Sequence, residues 1–230
     1  MEEAEFDRFA EEYREIHAAN IRASGESPEF FAEYKIADVA KSCTGLGDAP
    51  AILDFGAGVG SSVPYFRKYF PRCQLTCIDV SHKSLDVGRA RFAGEAQFLH
   101  FDGARTPFPD AHFDLVFFGC VMHHIAHQEH IGILAEARRV LRTRGVAAVF
   151  EHNPYNPLTL HAVNTCPFDE NAVLVRPRTL RSSALRAGFR DTALHYRIFF
   201  PHVLRALRPL EVWLDWLPLG AQYSLYARKE

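Results

Sequence analysis

The stretch Leu53-Asp54-Phe55-Gly56-Ala57-Gly58-Val59-Gly60 follows the apolar run Ala51-Ile52-Leu53 and opens a segment with helical patterning through about Phe70. Glycine lets a backbone take dihedrals closed to other residues and lets a ligand approach it closely. The exposed N–H groups of such a loop, and the positive end of the helix behind it, attract an anionic group such as a carboxylate. A short buried strand, a glycine loop and a helix form the first unit of an α/β sheet.

Outward from this unit the rhythm continues. Gln74-Leu75-Thr76-Cys77-Ile78 reads as a second strand, and Ser81 is a good N-cap for the helix after it. Asp79 ends that strand 19 residues after Gly60, where an acid can accept both hydroxyls of a ribose. Ala96–His100 reads as a third strand, followed by Asp102-Gly103 at the same sheet edge. Phe113–Phe118 and Gly145–Phe150 are the fourth and fifth strands. A helix over about Gln128–Leu141 separates them, with Ile131, Leu134, Ala137 and Leu141 on one face. Near-continuous apolar strands alternating with helices predict a parallel sheet covered on both faces. Ligands of such sheets sit at the carboxyl ends of the strands, so the loop and the acids converge on one crevice.

The flanks are less regular. Phe6, Phe9, Ala10 and Tyr13 recur at helical steps, as do Phe30, Phe31, Tyr34, Ile36, Ala37 and Val39 beyond the break at 24–28. Residues 152–176, rich in Asn, Pro and His, form no obvious element; 178–187 reads as a helix stopped by Gly188. Phe189–Arg197 and Gln222–Arg228 read as closing strands. Between them Leu204, Leu207, Leu210, Trp213, Leu214 and Leu217 fall at helical steps interrupted by Pro209 and Pro218, the pattern of a core-facing lid helix. A second reading of that stretch is an apolar mouth for a lipid-like or aromatic acceptor; a membrane surface against it, with Arg197, Arg205 and Arg208 at the headgroups, is not favoured. The expected fold is α/β: a Rossmann-like, seven-stranded, mostly parallel sheet with helices on both faces and an N-terminal helical lid. The expected organisation is a helical cap over 1–47, a ligand-binding core over 48–151, and a substrate-side insertion with closing strands over 152–230.

The chain has 230 residues, with 26 Lys+Arg against 28 Asp+Glu. That balance excludes the strong basic surplus of a dedicated nucleic-acid binder. The acidic opening Met1-Glu2-Glu3-Ala4-Glu5 is unlike a signal peptide, and no run of about 18 apolar residues occurs. Five cysteines, an odd and sparse set, fit free thiols in a reducing compartment, so the expected location is the cytoplasm. Cys73 and Cys77 lie along one strand, about 13 Å apart by its rise, too far for a disulfide.

These residues together resemble the class I S-adenosylmethionine-dependent methyltransferases, in the broad group that includes ubiquinone and menaquinone biosynthesis methyltransferases. The resemblance is strong over about 48–151 and weak in the flanks. It implies that Asp54, Gly56, Ala57 and Gly58 lie against the cofactor's amino-acid part and ribose, and that Asp79 holds the ribose hydroxyls with Val80 beside the adenine. It implies that Asp102, with Gly103, takes the adenine amino group, and that Gly119, in Phe118-Gly119-Cys120-Val121-Met122-His123-His124, lies near the methionine part. Leu141-Arg142-Thr143-Arg144-Gly145 departs from the usual Leu-Arg-Pro-Gly-Gly of this family, which weakens turn chemistry rather than cofactor binding. A dinucleotide dehydrogenase would need glycine where Ser61 stands. The expected activity is methyl transfer from S-adenosylmethionine to a small-molecule acceptor, lipid-like or aromatic. The alternative is a non-methylating protein on the same fold, a lyase, a cyclase or a binding module.

Methyl transfer from a sulfonium asks the protein mainly for alignment and water exclusion, and for a base only if the acceptor must lose a proton. His123, His124 and His152 sit at strand ends beside the crevice and are the candidate catalytic residues. His127 and His130 read as the exposed start of a helix. His123 and His127, four apart, suggest a zinc pair, but no third ligand has tight spacing, so no metal is expected. Asn153-Pro154-Tyr155 follows the fifth strand rather than the fourth, unlike the Asn-Pro-Pro-Tyr motif of DNA amino-methyltransferases, so no nucleic-acid partner is expected.

Overall fold

The computed structural model describes residues 18–21 and 24–230. The expected helix through Phe6, Phe9, Ala10 and Tyr13 lies outside the described residues.

Helix α1 (Pro28–Ser42) starts where the Ser27 hydroxyl accepts the Phe30 N–H and a proline occupies the first turn. Strand β1 (Ala51–Phe55) is buried at every position, as its unbroken apolar character requires. Then follow α2 (Val63–Tyr69), β2 (Gln74–Asp79), α3 (His82–Arg91), β3 (Gln97–His100), β4 (Phe113–Gly119), α4 (His130–Val140) and β5 (Leu141–His152). The Ser81 side chain caps α3 by accepting the Ser84 N–H at 3.0 Å, as expected. Beyond β5 lie α5 (Pro157–Asn164), α6 (Pro177–Arg186), β6 (Asp191–Arg197) and β7 (Gln222–Arg228).

The strands form one seven-stranded sheet in the order β3-β2-β1-β4-β5-β7-β6. β1, β2, β3, β4 and β5 pair in parallel, and β7 runs antiparallel to both β5 and β6. This is the expected Rossmann-like α/β sheet. Because the order reverses at β1, the carboxyl ends of β1 and β4 flank a crevice there. Alternate side chains feed two cores. Ile52, Leu115, Phe117 and Phe150 pack with Ile36 and Val39 of α1, whereas Leu53, Phe55, Val116 and Phe118 pack with Leu134 and Leu180. The Asp114 carboxylate accepts the Ala51 N–H and Arg142, both at 2.8 Å, tying together the lower ends of β1, β4 and β5. α1 is anchored across the sheet by Asp38, which receives the Tyr226 hydroxyl at 2.8 Å and Arg197 at 3.1 Å.

Three expectations need correction. Residues 152–176 contain a helix, α5, whose start was legible: the Asn156 side chain accepts the Thr159 N–H and Pro157 opens the first turn. Residues 202–213 are not a core-facing α-helix but a 3₁₀ run containing Pro209, and none of its side chains is buried. A proline inside a run removes a donor and crowds the preceding turn, so an α-helix cannot pass through intact. His130 is fully buried, not exposed: its Nε2 lies 2.8 Å from Met122 O and 3.0 Å from Ile125 O, closing the turn between β4 and α4.

None of the five cysteines forms a disulfide. Among the described residues no helix is long and apolar enough to cross a membrane. Of the three arginines considered for headgroups, Arg197 pairs with Asp38 and Arg208 with Glu26.

Candidate functional site

A cavity of about 350 Å³ opens at the carboxyl ends of β1, β2, β4 and β5. Its floor is the glycine loop. Gly56 has φ +72°, and a side chain there would strike Val121 at 2.7 Å, so only glycine fits. Gly58 has φ +53°, and a Cβ there would meet nothing within 4 Å. The first glycine serves packing; the second leaves its backbone open to the cavity.

The loop is fixed from β2. Gly56 and Ala57 donate their N–H groups to Ile78 O at 2.8 and 3.0 Å. Asp79 Oδ2 accepts the Gly58 N–H at 2.8 Å, and Oδ1 accepts the Ser81 N–H at 2.9 Å. Burial raises the Asp79 carboxyl above its usual range, opposed by these amide donors. Asp54, 2% exposed, lines the same cavity, and its Oδ2 has no hydrogen-bond partner among the described residues. Burial first, and the Asp79 charge second, push its carboxyl up to about 7. The two acids create a demand for a positive ligand that the surrounding protein only partly meets.

Asp54, Gly56, Ala57, Gly58, Asp79, Gly119, His123, His124 and His152 all line this cavity. Val80, Asp102 and Gly103 do not. They meet beside it: Gly103, with φ +85°, would place a Cβ 3.5 Å from the Val80 side chain. Asp102 is exposed, and Oδ1 accepts the Ala104 and Arg105 amides, which hold its carboxyl below the usual range. That turn is held from α4, where Glu136 Oε1 accepts both the amide and the hydroxyl of Thr106 at 2.9 and 2.7 Å.

At the other end of the cavity the chain leaving β4 bends sharply. Cys120 has φ +63°, a strained conformation for a side chain, and donates its N–H to Phe150 O at 2.8 Å. The 3₁₀ turn Met122–His124 follows. Glu151, fully buried at the end of β5, organises it: Oε1 accepts the Met122 N–H at 2.7 Å and Oε2 the His123 Nδ1 at 2.6 Å. Asp169, on the turn Pro167–Asp169, places Oδ1 3.6 Å from His123 Nε2 and 3.5 Å from His124 Nε2. The His152 ring centre is 5.1 Å from that of His123.

These groups are strongly coupled. Burial lowers the His123 imidazole, but Glu151 and Asp169 outweigh it and lift the group to about 9. Burial, then the His123 charge, lowers His124 to about 3 and His152 to about 4. Burial alone would raise Asp169, yet His123 holds it at about 2.

Sequence reading missed Glu151 and Asp169. Glu151 carried a signal, a lone charge closing an apolar strand. Asp169 carried none, because 45 residues separate it from His124 and only the path of α5 brings them together. Lys35, Phe31 and Gln222 also line the cavity; Tyr34, beside them, donates its hydroxyl to Gln222. Asn153 is scaffolding: its amide donates to Gly220 O at 2.7 Å and Pro218 O at 3.2 Å, and its Oδ1 accepts the Tyr155 N–H.

Residues 53–149 match the family model for the methyltransferase domain. Curated relatives include the ubiquinone/menaquinone biosynthesis C-methyltransferase UbiE of Ectopseudomonas mendocina (strain ymp), 31% identical over 132 residues, and its counterpart in Pseudomonas fluorescens (strain SBW25), 30% identical. Each match covers 54% of this chain and 51% of the relative, so the chain spans about half the length of the curated relatives it matches. Among solved structures, an S-adenosylmethionine-dependent methyltransferase from Thermotoga maritima, a possible histamine N-methyltransferase, superposes with TM-score 0.68 at 17% identity, covering 99% of both chains. A phosphoethanolamine N-methyltransferase from Haemonchus contortus in complex with S-adenosyl-L-methionine gives TM-score 0.63 at 15% identity, over 85% of this chain and 52% of that one. At these identities the structural likeness shows the fold.

Proposed function

We propose, from the premise that residues 53–149 form a class I S-adenosylmethionine-dependent methyltransferase domain, that the whole chain methylates a small-molecule acceptor. The observation that carries this reading is the pairing of the Asp79–Gly58 hydrogen bond with the unpartnered Asp54 Oδ2 in one cavity. An ammonium group on the ligand would satisfy Asp54. Asp79 Oδ2 accepts the Gly58 amide and Oδ1 the Ser81 amide, and a carboxylate has lone-pair capacity beyond these for a hydroxyl, so the acid suits a ribose diol. The open Gly58 backbone leaves room for close approach. Val80, Asp102 and Gly103, at the adjacent strand tips, are assigned to the adenine side.

When bound, S-adenosylmethionine supplies a methyl group on a sulfonium. The protein's own contribution is placement. The β1 loop and Asp79 fix one reactant, while α1 closes one side of the cavity with Phe31, Ala32 and Lys35 and excludes water. His123, His124 and His152 face the end of the cavity beyond Gly119 and Cys120, and the acceptor is assigned there. Phe31, Ala162 and Val163 give that end an apolar wall, which suits an aromatic or lipid-like body with one protic atom. For such an acceptor His152, whose imidazole burial keeps neutral at working pH, takes the departing proton. The quinone precursors implied by the names of the curated relatives are one candidate class. The acceptor-side residues His152 and Asp169 lie past the end of the matched domain, so they are not carried over with it.

No observation favours a non-methylating protein on this fold. Five cysteines outside disulfides support a cytoplasmic location, and the near-neutral charge balance supports a partner other than nucleic acid. The test is to incubate the chain with S-adenosylmethionine and a panel of phenolic, amine and quinol acceptors and measure S-adenosylhomocysteine. Acceptor-dependent product that disappears in Asp79→Asn supports the reading. Cofactor binding without turnover on any acceptor class argues for the non-methylating alternative.

A further inference from the structure

We infer that His123, His124 and Asp169 form a binding site for a zinc-type divalent cation at the acceptor end of the cavity, with Glu151 orienting the first ligand. The sequence expectation of no metal rested on the want of a third ligand near the histidines; the turn Pro167–Asp169 brings one in from outside.

The donor spacing is the first argument. Asp169 Oδ1 lies 3.6 Å from His123 Nε2 and 3.5 Å from His124 Nε2, and all three donor atoms fall within 4.8 Å of one another. These separations exceed a good N–H···O hydrogen bond, which spans roughly 2.7–3.2 Å. They are close to the roughly 3.3–3.5 Å between ligand atoms of a tetrahedral ion with bonds of about 2.0–2.2 Å. The carboxylate thus stands off from both imidazoles by about the distance that a shared ion requires.

The second argument is ligand orientation. His123 uses Nδ1 on Glu151 Oε2 at 2.6 Å, which fixes the ring and leaves Nε2 directed at Asp169. A carboxylate behind a ligating imidazole is the usual support of a histidine–metal bond. Charge supplies a third argument. The Glu151 and Asp169 side chains are 0% and 6% exposed, so two carboxylates share one buried cluster. A divalent ion held between the imidazoles and Asp169 offsets that charge.

Two imidazoles and one carboxylate leave coordination positions vacant, the pattern of catalytic rather than structural sites. His123, His124 and Asp169 all line the cavity, so water or an acceptor oxygen completes the shell from there. The site stands on its own geometry; its use in orienting an acceptor oxygen rests on the methyltransferase reading.

The experiment takes the tag-free full chain, removes metal with a chelator, and titrates it with Zn²⁺ by calorimetry and with Co²⁺ by visible absorption. The wild type is expected to take up one ion per chain with micromolar or tighter affinity and to show the d–d bands of low-coordinate cobalt. Asp169→Ala and His124→Ala should each weaken Zn²⁺ binding by at least a hundredfold. Glu151→Gln should weaken it by about 10–100-fold, and His127→Ala, outside the cluster, should leave it unchanged. Near-UV circular dichroism identifies any variant that fails to fold, in which case Asp169→Asn replaces Asp169→Ala. Asp79→Asn should retain Zn²⁺ while losing S-adenosylhomocysteine, which separates this site from the cofactor reading. Absence of stoichiometric uptake by the wild type, or uptake unchanged in folded Asp169 and His124 variants, overturns the inference.

Discussion

The Gly58 amide and the Asp79 carboxylate are bonded at 2.8 Å, so the loop after β1 and the acid ending β2 form one rigid corner of the cavity. The bond settles how two segments 21 residues apart act together. Removing the acid loosens the loop as well as deleting an acceptor.

The two loop glycines should therefore fail in different ways. Gly56→Ala forces a Cβ against Val121 at 2.7 Å and should cost roughly 1–3 kcal/mol of stability. Gly58→Val places its Cβ where nothing lies within 4 Å and should cost about 1–3 kcal/mol of backbone strain for a β-branched residue at φ +53°, yet abolish S-adenosylhomocysteine binding. Urea unfolding and calorimetry on both variants check this; normal ligand affinity in Gly58→Val would refute the assignment of its backbone to the ligand.

Asp54 predicts a pH dependence of definite sign. Its folded carboxyl, at about 7, lies above the ordinary value of 3.8. Between these values the native state keeps a proton that the unfolded chain releases, so stability falls as pH rises through about 4 to 7. Asp54→Asn removes this dependence. The variant should gain on the wild type by up to about 4 kcal/mol between pH 4 and pH 8, at about 1.36 kcal/mol per pH unit. Parallel denaturant curves at the two pH values would show it; a constant difference between the proteins would count against the buried, desolvated carboxyl.

Arg144 sits at φ +67°, in the turn entering the buried part of β5, donating its N–H to Lys229 O at 2.7 Å. A non-glycine residue there costs roughly 1–2 kcal/mol, offset in part by the larger unfolded-state entropy of glycine. Arg144→Gly should stabilise the chain by up to about 1 kcal/mol and leave ligand binding alone. A lower denaturation midpoint would show that the exposed arginine side chain contributes more than its backbone loses.

Asn153→Ala should cost roughly 2–3 kcal/mol, because the Gly220 and Pro218 carbonyls lose their side-chain donor. Cofactor-product affinity should stay within about twofold. A large loss of affinity without loss of stability would return Asn153 to the functional residues.

The sheet was legible because its signal is local. β1, β2, β4 and β5 are apolar runs, and Asp54, Gly58 and Asp79 sit at fixed offsets from their ends. The acceptor end was legible only in part. His123, His124 and His152 stood out as residues at strand ends, but their partners Glu151 and Asp169 come from different elements, and Asp169 is placed by tertiary structure alone. Leu204, Leu207 and Leu210 misled for the opposite reason. Their helical spacing is genuine, yet Pro209 interrupts the α-helix and the side chains remain exposed. Periodicity reports which face is apolar, not whether anything covers it.

The most direct measurement is calorimetric titration of the wild type and Asp79→Asn with S-adenosylhomocysteine. The account predicts one site per wild-type chain, with micromolar or tighter affinity. It predicts a loss of about 2–5 kcal/mol in the variant, which gives up the negative charge and one of the two acceptor oxygens. Wild-type protein that takes up no ligand at millimolar concentration, or binds it no better than Asp79→Asn does, would contradict it.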